Sequence, residues 1–216
     1  TYTVVVDGTW NYLRDGVLTA SYTWNDAQDN TSYNGNVANS ATLFQMVVDD
    51  PRDLSMMNYS NVQFRNKVVL YGTLPSFYGV SVGVRYSGLG GSRYSLRVNG
   101  NVNGDFVSSN DLAYVFDPNA AGTSAAVADG MNAVLANPDN RARSCIEQYM
   151  GGMAVRNGCE NDFFGVWDLR VSRKFQFSPV STTGLELSFD LFNVANILNR
   201  DWGASRNLGD QNLLTI

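Results

Sequence analysis

The feature that most constrains this chain is a two-residue alternation of side-chain character along extended segments. From Tyr2 to Tyr12, even positions are apolar or aromatic (apart from Gly8), and most odd positions are polar. A period of two is typical of a β-strand whose two faces meet different environments. Similar segments recur along the chain, which predicts an all-β fold with six long antiparallel strands. We expect these strands near residues 2–12, 18–24, 62–74, 78–86, 166–177 and 185–191.

The predicted connections alternate between short and long. Short turns are expected at 14–16, 75–76 and 179–184, and long loops at 26–60 and 100–162. The first loop contains an apolar segment at 43–48, and the second contains a predicted helix from Ser124 to Leu135 that Pro138 ends. We expect the fourth strand to continue weakly to Val98 beyond a bend at Gly90 and Gly91. Residues 199–216 show no strand pattern.

Alternation alone allows either a water-soluble β-sandwich or a transmembrane β-barrel, because both have strands with one apolar face. Strands of about ten residues have the length that crosses a bilayer at a tilt. Short turns on one side and long loops on the other are typical of outer-membrane barrels. We therefore predict a fragment of an antiparallel transmembrane β-barrel, with short periplasmic turns and long extracellular loops.

Aromatic residues cluster near the predicted strand ends, where membrane barrels carry interfacial girdles. A sandwich core gives no reason for this segregation. The predicted outer-end residues are Tyr2, Trp24, Phe64, Tyr86 and Trp167, and the inner-end residues are Trp10, Tyr12, Tyr78, Phe175 and Phe177.

The face opposite the apolar residues carries charges of both signs, as a polar barrel lumen requires. Such residues either line a solute path and hold a plug, or are solvated and mutually paired charges of the wall. For any single residue the second interpretation is favoured. The lumen-facing candidates are Asp7, Arg65, Lys67, Arg85, Asp168, Arg170, Lys174, Glu186 and Asp190.

Composition excludes several classes of function. The 216 residues include no histidine, which removes the commonest general base, the commonest metal ligand and the imidazole of catalytic triads. We therefore expect no enzymatic activity, no catalytic or metal site and no cofactor. The formal net charge of -5 indicates no basic surface for nucleic acid. No apolar segment reaches the length of a membrane helix, and the start at Thr1 shows no signal peptide.

The only two cysteines, Cys145 and Cys159, both lie in the second long loop. We predict a disulfide between them, which in the chain-entropy model stabilises the loop by about 3 kcal/mol. A reactive or metal-binding pair is the less favoured alternative, because the sequence lacks histidine and a CxxC spacing.

Two polar segments and one glycine-rich segment resemble ligand sites only superficially. The run from Asn99 to Asp105 has the spacing of a calcium loop but carries Asn110 at its twelfth position, so we interpret it as a turn. Asp49, Asp50 and Asp53 are interpreted as a solvated loop tip rather than a cation site. The glycines at 88–91 lack the strand-to-helix context of a phosphate loop.

A resemblance to a known family is carried by the segment SFDLFNVANILNRDWG, which contains an LFN motif ending at Asn193. This segment resembles the region before the last strands of TonB-dependent outer-membrane receptors. Together with the strand FFGVWDLRVSRKF and the SYTW strand with its Asn- and Asp-rich loop, it is most similar to the Oar-like branch. The resemblance implies a 22-stranded barrel with an N-terminal plug, which imports large solutes with energy from the inner-membrane TonB complex.

Six strands are fewer than the eight with which single-chain bacterial barrels begin, so we expect further strands at both ends or contributions from other chains. The plug and the TonB box are not found in these residues. The predicted function is an outer-membrane TonB-dependent receptor barrel that takes part in uptake of a large solute. The alternative is an Oar-like structural or adhesive protein that anchors surface loops. Expected partners are outer-membrane lipid and lipopolysaccharide, the rest of the barrel and plug, the TonB complex and a surface lipoprotein.

Overall fold

A computed structural model describes residues 1–32, 45–48, 50, 53, 55–177 and 183–216. Its strands, in chain order, are β1 (Tyr2–Tyr12), β2 (Gly16–Asp26), β3 (Gln28–Asp29), β4 (Asn58–Tyr59), β5 (Asn66–Thr73), β6 (Val80–Leu89), β7 (Arg93–Tyr94), β8 (Leu96–Asn99), β9 (Tyr114–Val115), β10 (Gly152–Met153), β11 (Cys159–Glu160), β12 (Phe164–Gln176), β13 (Gly184–Leu191) and β14 (Gln211–Thr215). Its helices are α1 (Ala125–Ala136), α2 (Arg143–Gln148) and α3 (Ala195–Leu198).

The long strands form one six-stranded sheet in the order β1-β2-β5-β6-β12-β13, in which all neighbours are antiparallel. The prediction of six antiparallel strands in one sheet is therefore confirmed. Within the described ranges the sheet is open, with β1 and β13 at its edges, so closure into a barrel is not seen. Two turns on one side are tied together, because the carboxylate of Asp15 accepts hydrogen bonds from the backbone N–H and the hydroxyl of Ser76.

The third and fourth predicted strands begin later in the structure than the sequence indicates. The third begins at Asn66 rather than at residue 62, because Gln63 turns inward and its side chain bonds the backbone of Asn25 and Ala27. The fourth runs from Val80 to Leu89, while Tyr78 lies in the preceding turn with a φ of 51°. It does not continue to Val98, since β7 and β8 are separate short strands. Between them and β6, the chain at Gly91 passes so close to Asn161 that a Cβ would clash.

The predicted long loops contain most of a second folded body, which we call the cap. It comprises the described residues of 27–32, 45–65, 90–163 and 205–216, with α1, α2 and all the short strands. The strands β3 and β4, β7 and β11, and β9 and β10 pair antiparallel, whereas β8 and β14 pair parallel. The expectation that 199–216 holds no strand is therefore wrong, although β14 joins the cap and not the sheet.

The cap holds the hydrophobic core of the described chain. Its buried cluster is Tyr94, Leu96, Val98, Ala113, Val115, Met131, Ala142, Cys145, Ile146, Ala154 and Cys159. Helix α1 starts as predicted, since Ser124 is its N-cap and accepts a hydrogen bond from the backbone N–H of Val127. It ends at Ala136, two residues before Pro138, and buries Met131 against the cluster.

Candidate functional site: the two faces of the sheet

The strand register assigns every residue of the sheet to one of two faces, because directly opposed residues in antiparallel strands project to the same side. One row joins Val82, Val171 and Phe189 across three strands, and the adjacent row joins Ser81, Ser172 and Ser188. The same separation holds from β1 to β13. The sheet thus has one face of mainly aliphatic and aromatic residues, the apolar face, and one of mainly hydroxyl and charged residues, the polar face.

The apolar face is exposed. Trp10 is 64% exposed, Tyr22 43% and Phe189 63%, and among the described residues no fully buried hydrophobic side chain belongs to the sheet. In β2 the apolar side chains are more exposed than Thr19, Ser21 and Thr23 on the polar face. A layer in a water-soluble domain normally buries its apolar face against another layer. In this sheet the apolar face is instead left exposed by the described residues.

The polar face carries eight of the nine lumen-facing candidates, namely Asp7, Lys67, Arg85, Asp168, Arg170, Lys174, Glu186 and Asp190. Arg170 Nε lies 3.7 Å from Asp190 Oδ1, and Lys174 Nζ lies 3.9 Å from Glu186 Oε2. These are cross-strand ion pairs, which agrees with the interpretation of mutually paired wall charges. Arg65, the ninth candidate, precedes β5 and lies 3.7 Å from Glu160 of the cap.

Four of these charges meet around one cavity of about 490 Å³. Its lining includes Arg85, Asp168, Arg170 and Asp190, together with Tyr71. The cavity therefore offers guanidinium, carboxylate and phenol groups on the polar face. Such a set can hydrogen-bond a polar solute or a facing protein segment.

The aromatic residues divide into those at strand ends and those outside the sheet. Tyr86 and Trp167 are directly opposed, with ring centroids 4.7 Å apart, and Trp10 and Tyr12 are 5.1 Å apart. Tyr2 and Trp24 lie at one end of the β1–β2 pair, and Phe175 lies near the far end of β12. Phe64, Tyr78 and Phe177 lie outside the strands, in the segments that adjoin the strand ends where they were predicted.

The LFN segment forms a compact turn after β13. Asn193 has a φ of 51°, a left-handed conformation that asparagine tolerates better than most residues. Its backbone N–H donates to Asp168 Oδ1 at 2.9 Å, which links the motif to the polar face. Its side chain donates to Gly203 O at 3.3 Å, and a Cβ at Gly203 would clash with it. The motif thus fixes the chain direction directly after the sheet.

A buried arginine joins the two long connections within the cap. Arg156 Nη1 lies 2.9 Å from Asp29 Oδ1, and Nη2 donates to the backbone oxygen of Asp29. Asn157 donates from its side chain to Tyr59 O and Asn61 Oδ1, both at 2.7 Å. Burial alone raises the pKa of Asp29, but hydrogen bonds from Ser60, Arg156 and Ser32 outweigh it and lower that pKa below its ordinary 3.8.

The lowered pKa of Asp29 predicts an acid-sensitive cap. Since the pKa is lower in the folded than in the unfolded chain, ionised Asp29 stabilises the cap above pH 3.8, and this contribution is lost as the pH falls further. We expect the cap's unfolding free energy to decrease below pH 4 in a denaturant titration series. Asp29→Asn should flatten that decrease, and an unchanged pH profile in this variant would contradict the assignment.

Two further polar sites lie in the cap. The side chain of Arg93 is buried, with its guanidinium 4.0 Å above the Tyr59 ring and 2.9 Å from Glu160. Burial lowers the pKa of Arg93, against the opposing effect of Glu160. The calcium-like run is a turn, as interpreted, because Asn101, Asn103 and Asp105 accept hydrogen bonds from backbone N–H groups of residues 104, 105 and 107.

Cys145 in α2 and Cys159 in β11 form a disulfide, as the sequence predicts. Their Cα atoms are 5.5 Å apart and both side chains belong to the buried cluster. Asp50 and Asp53 are exposed, in agreement with a solvated loop tip, whereas Asp49 lies outside the described residues. So do residues 43–44 of the apolar segment and residues 179–182 of the third short turn.

The described residues contain no group of three or more Cys, Asp or Glu side chains placed to hold a metal ion. No helix in the described ranges has the length and apolar character needed to span a membrane. Comparisons of the chain with protein-family models, curated proteins and solved structures found no match.

Proposed function

We propose that the sheet is part of the wall of a transmembrane β-barrel in the bacterial outer membrane, and that the chain belongs to a receptor of the TonB-dependent type. The main support for this proposal is that the aromatic and aliphatic residues of the sheet are exposed on one face, whereas the charged residues lie on the other. A bilayer covers an apolar face without a second protein layer, and a lumen solvates charges.

The open edges of the sheet support a larger assembly. In hydrocarbon, unpaired backbone groups along β1 and β13 cost several kcal/mol each, so a spanning sheet must be closed. Closure requires further strands, either of the same polypeptide or of other copies. The cavity around Arg85 and Asp168 then faces the enclosed space, where it is placed to contact a plug or a passing solute.

The cap supports a surface role. It connects to the sheet on the side opposite the tied turns at Asp15 and Ser76, which makes it extracellular if those turns are periplasmic. A disulfide is stable in that oxidising environment. Its own core makes the cap a rigid platform for capturing a ligand ahead of uptake.

Sidedness tests the membrane proposal. An epitope inserted after Gly122, in an exposed turn of the cap where an added Cβ would meet no atom within 4 Å, should bind antibody on intact cells. The same epitope inserted after Arg14, in a short turn, should bind only after the outer membrane is permeabilised. Recovery of the native protein from the periplasm without detergent would rule the proposal out.

The folded cap also favours the second candidate, an Oar-like adhesive or structural protein. A solute-uptake measurement distinguishes a receptor from an adhesive or structural protein. Cells with and without the gene, each with an active or an inactive TonB complex, are compared for depletion of large solutes from the medium by mass spectrometry. A receptor depletes a solute only when both gene and TonB are intact, whereas an anchor shows no such dependence.

A further inference from the structure

The loop between β8 and β9 folds around the carboxylate of Asp111. A backbone hydrogen bond of 2.9 Å from Val98 N to Asp111 O closes this loop. Inside it, Asp111 Oδ2 accepts a hydrogen bond of 2.5 Å from the backbone N–H of Val102 and a longer one from that of Asn103. The carboxylate of Asp111 therefore points into the turn that residues 101–105 form.

The second oxygen of this carboxylate is buried without a donor. Asp111 is 1% exposed, and its Oδ1 has no hydrogen-bond partner in the part of the chain that the structure describes. Within that part, neither Asp111 nor Asp105 forms an ion pair. Arg97, whose side chain does contact this loop, donates to Ser109 O and Asn212 Oδ1 instead. A buried carboxylate oxygen without donor or cation is energetically costly, and a bound cation removes this cost.

Three further side chains of the same turn carry oxygens that can bind a cation. Asn101 and Asn103 each accept a backbone hydrogen bond within the turn, at 2.8 and 3.0 Å, and a carbonyl oxygen that accepts one bond keeps a second lone pair. Asp105 Oδ2 lies 2.6 Å from Nδ2 of Asn110, which ties the second carboxylate to the residue next to Asp111.

We propose that residues 101–111 bind a calcium ion. The carboxylates of Asp105 and Asp111 balance its charge, and the amide oxygens of Asn101 and Asn103 add neutral ligands. Calcium prefers such hard oxygen ligands and takes about six to eight of them in a flexible geometry, so backbone or water oxygens complete the set. Softer metals prefer imidazole or sulfur ligands, and the segment 100–113 contains no His, Cys or Met.

The ligand set differs from the one that the sequence spacing suggests. Counted from Asn99, the twelfth residue is Asn110, which cannot supply the bidentate carboxylate of a calcium loop. Counted from Asn101, the sixth residue is Phe106, whose φ of 71° is the conformation that a glycine supplies at this position of calcium loops. The late acidic ligand is then Asp111, which reaches the turn because the loop folds back on itself.

Calcium binding in the cap does not require membrane insertion, so it stands apart from the proposed function. Hydrogen exchange followed by mass spectrometry tests it on the full chain in maltoside micelles, after a chelator has removed bound metal. Calcium chloride and magnesium chloride are the two probes. A metal that binds only the closed loop slows exchange in that loop in proportion to the ratio of free metal to the dissociation constant.

We expect a dissociation constant of about 0.1–1 mM for calcium, the range of extracellular calcium modules. Amides of residues 101–111 should therefore exchange at least about tenfold more slowly in about 10 mM calcium. Magnesium should bind at least about tenfold more weakly, because it demands octahedral geometry and loses its water reluctantly. Exchange in β12 should respond to neither metal.

Variants of the two carboxylates locate the ion. Asp111→Asn removes one charge but keeps an oxygen for the N–H of Val102, and it should weaken calcium binding at least about tenfold, since ligand charge sets the affinity. Asp105→Asn, at a half-buried position, should have a similar effect and provides a second test if Asp111→Asn destabilises the cap. The matched control Asp139→Asn removes an exposed charge after α1 and should change the affinity less than about twofold.

Unchanged exchange at residues 101–111 in about 10 mM calcium, in a chain whose α1 and β8 amides stay protected, would overturn the calcium site. Slowing that neither Asp111→Asn nor Asp105→Asn reduces would also overturn it, because the ion would then bind elsewhere. Equal potency of the two metals would contradict a loop that selects calcium.

Discussion

Val171→Arg is expected to destabilise the membrane-inserted protein by about 2–4 kcal/mol, the cost of an arginine on the lipid face near the bilayer midplane. Val171 lies in the central row of the apolar face, between Val82 and Phe189. It is 37% exposed in the chain alone, so water could accommodate an arginine there at little cost. Only a surrounding hydrocarbon phase makes the substitution severe.

The neighbouring residue provides a matched control. Ser172 lies in the same strand, one position along, between Ser81 and Ser188 on the polar face. Ser172→Arg should change the unfolding free energy by less than about 1 kcal/mol, because a lumen solvates the new charge. Both variants are measured by guanidinium unfolding of the intact protein in phospholipid vesicles. Equal effects of the two arginines would mean that the apolar face does not meet lipid.

The sheet could be predicted because its signal is local. In β1 and β2 the period of two extends through eleven residues with few exceptions, such as Val5 and Gly8 in β1. The turn between them is short, which fixes their pairing as a hairpin. The charges of the polar face followed from the alternation alone. Arg65 lies before β5, where the inward turn of Gln63 ends the alternation, and it is near Glu160 of the cap.

The cap could not be predicted in this way, because its core is assembled from distant segments. β14 pairs with β8 although about 115 residues separate them, and the carboxylate of Asp210 accepts a hydrogen bond from the backbone N–H of Ser95. Two-residue strands such as β7 and β11 are too short to show periodicity. Within the cap, local or compositional signals were carried by the ends of α1, the turn from Asn99 to Asp105 and the cysteine pair.

An apolar groove lies between Trp167 of β12 and the turn that follows β13, which contributes Ile197 and Trp202. It could not be predicted from the sequence for a related reason. The NILN segment reads as a polar-flanked turn, and nothing local indicates that Ile197 and Trp202 return toward Trp167. The fold brings them together through Asn193, whose backbone bonds Asp168 on the polar face while the following residue's N–H bonds Trp167 O. A signal existed in the asparagine itself, since this residue type favours left-handed turns.

Leu96→Ala is expected to destabilise the cap by about 4 kcal/mol, through lost apolar burial and the cavity left behind. Leu96 has no exposed surface and belongs to the buried cluster that joins β8, α1, α2 and the disulfide. The sheet contributes nothing to that cluster in the described residues, so the loss should remain local. Hydrogen exchange followed by mass spectrometry measures both parts of the molecule in one experiment.

In the Leu96→Ala variant, amide protection should fall in α1 and β8 and stay unchanged in β12. Val102→Ala, a similar truncation at a side chain that is 62% exposed, should change protection by less than about 0.5 kcal/mol in either part. An equal loss of protection in β12 would show that the cap and the sheet unfold as one unit. A loss of protection confined to α1 and β8 would support a cap that is stabilised by its own core and by the disulfide between Cys145 and Cys159. The stability of the cap would then not depend on what surrounds the apolar face of the sheet.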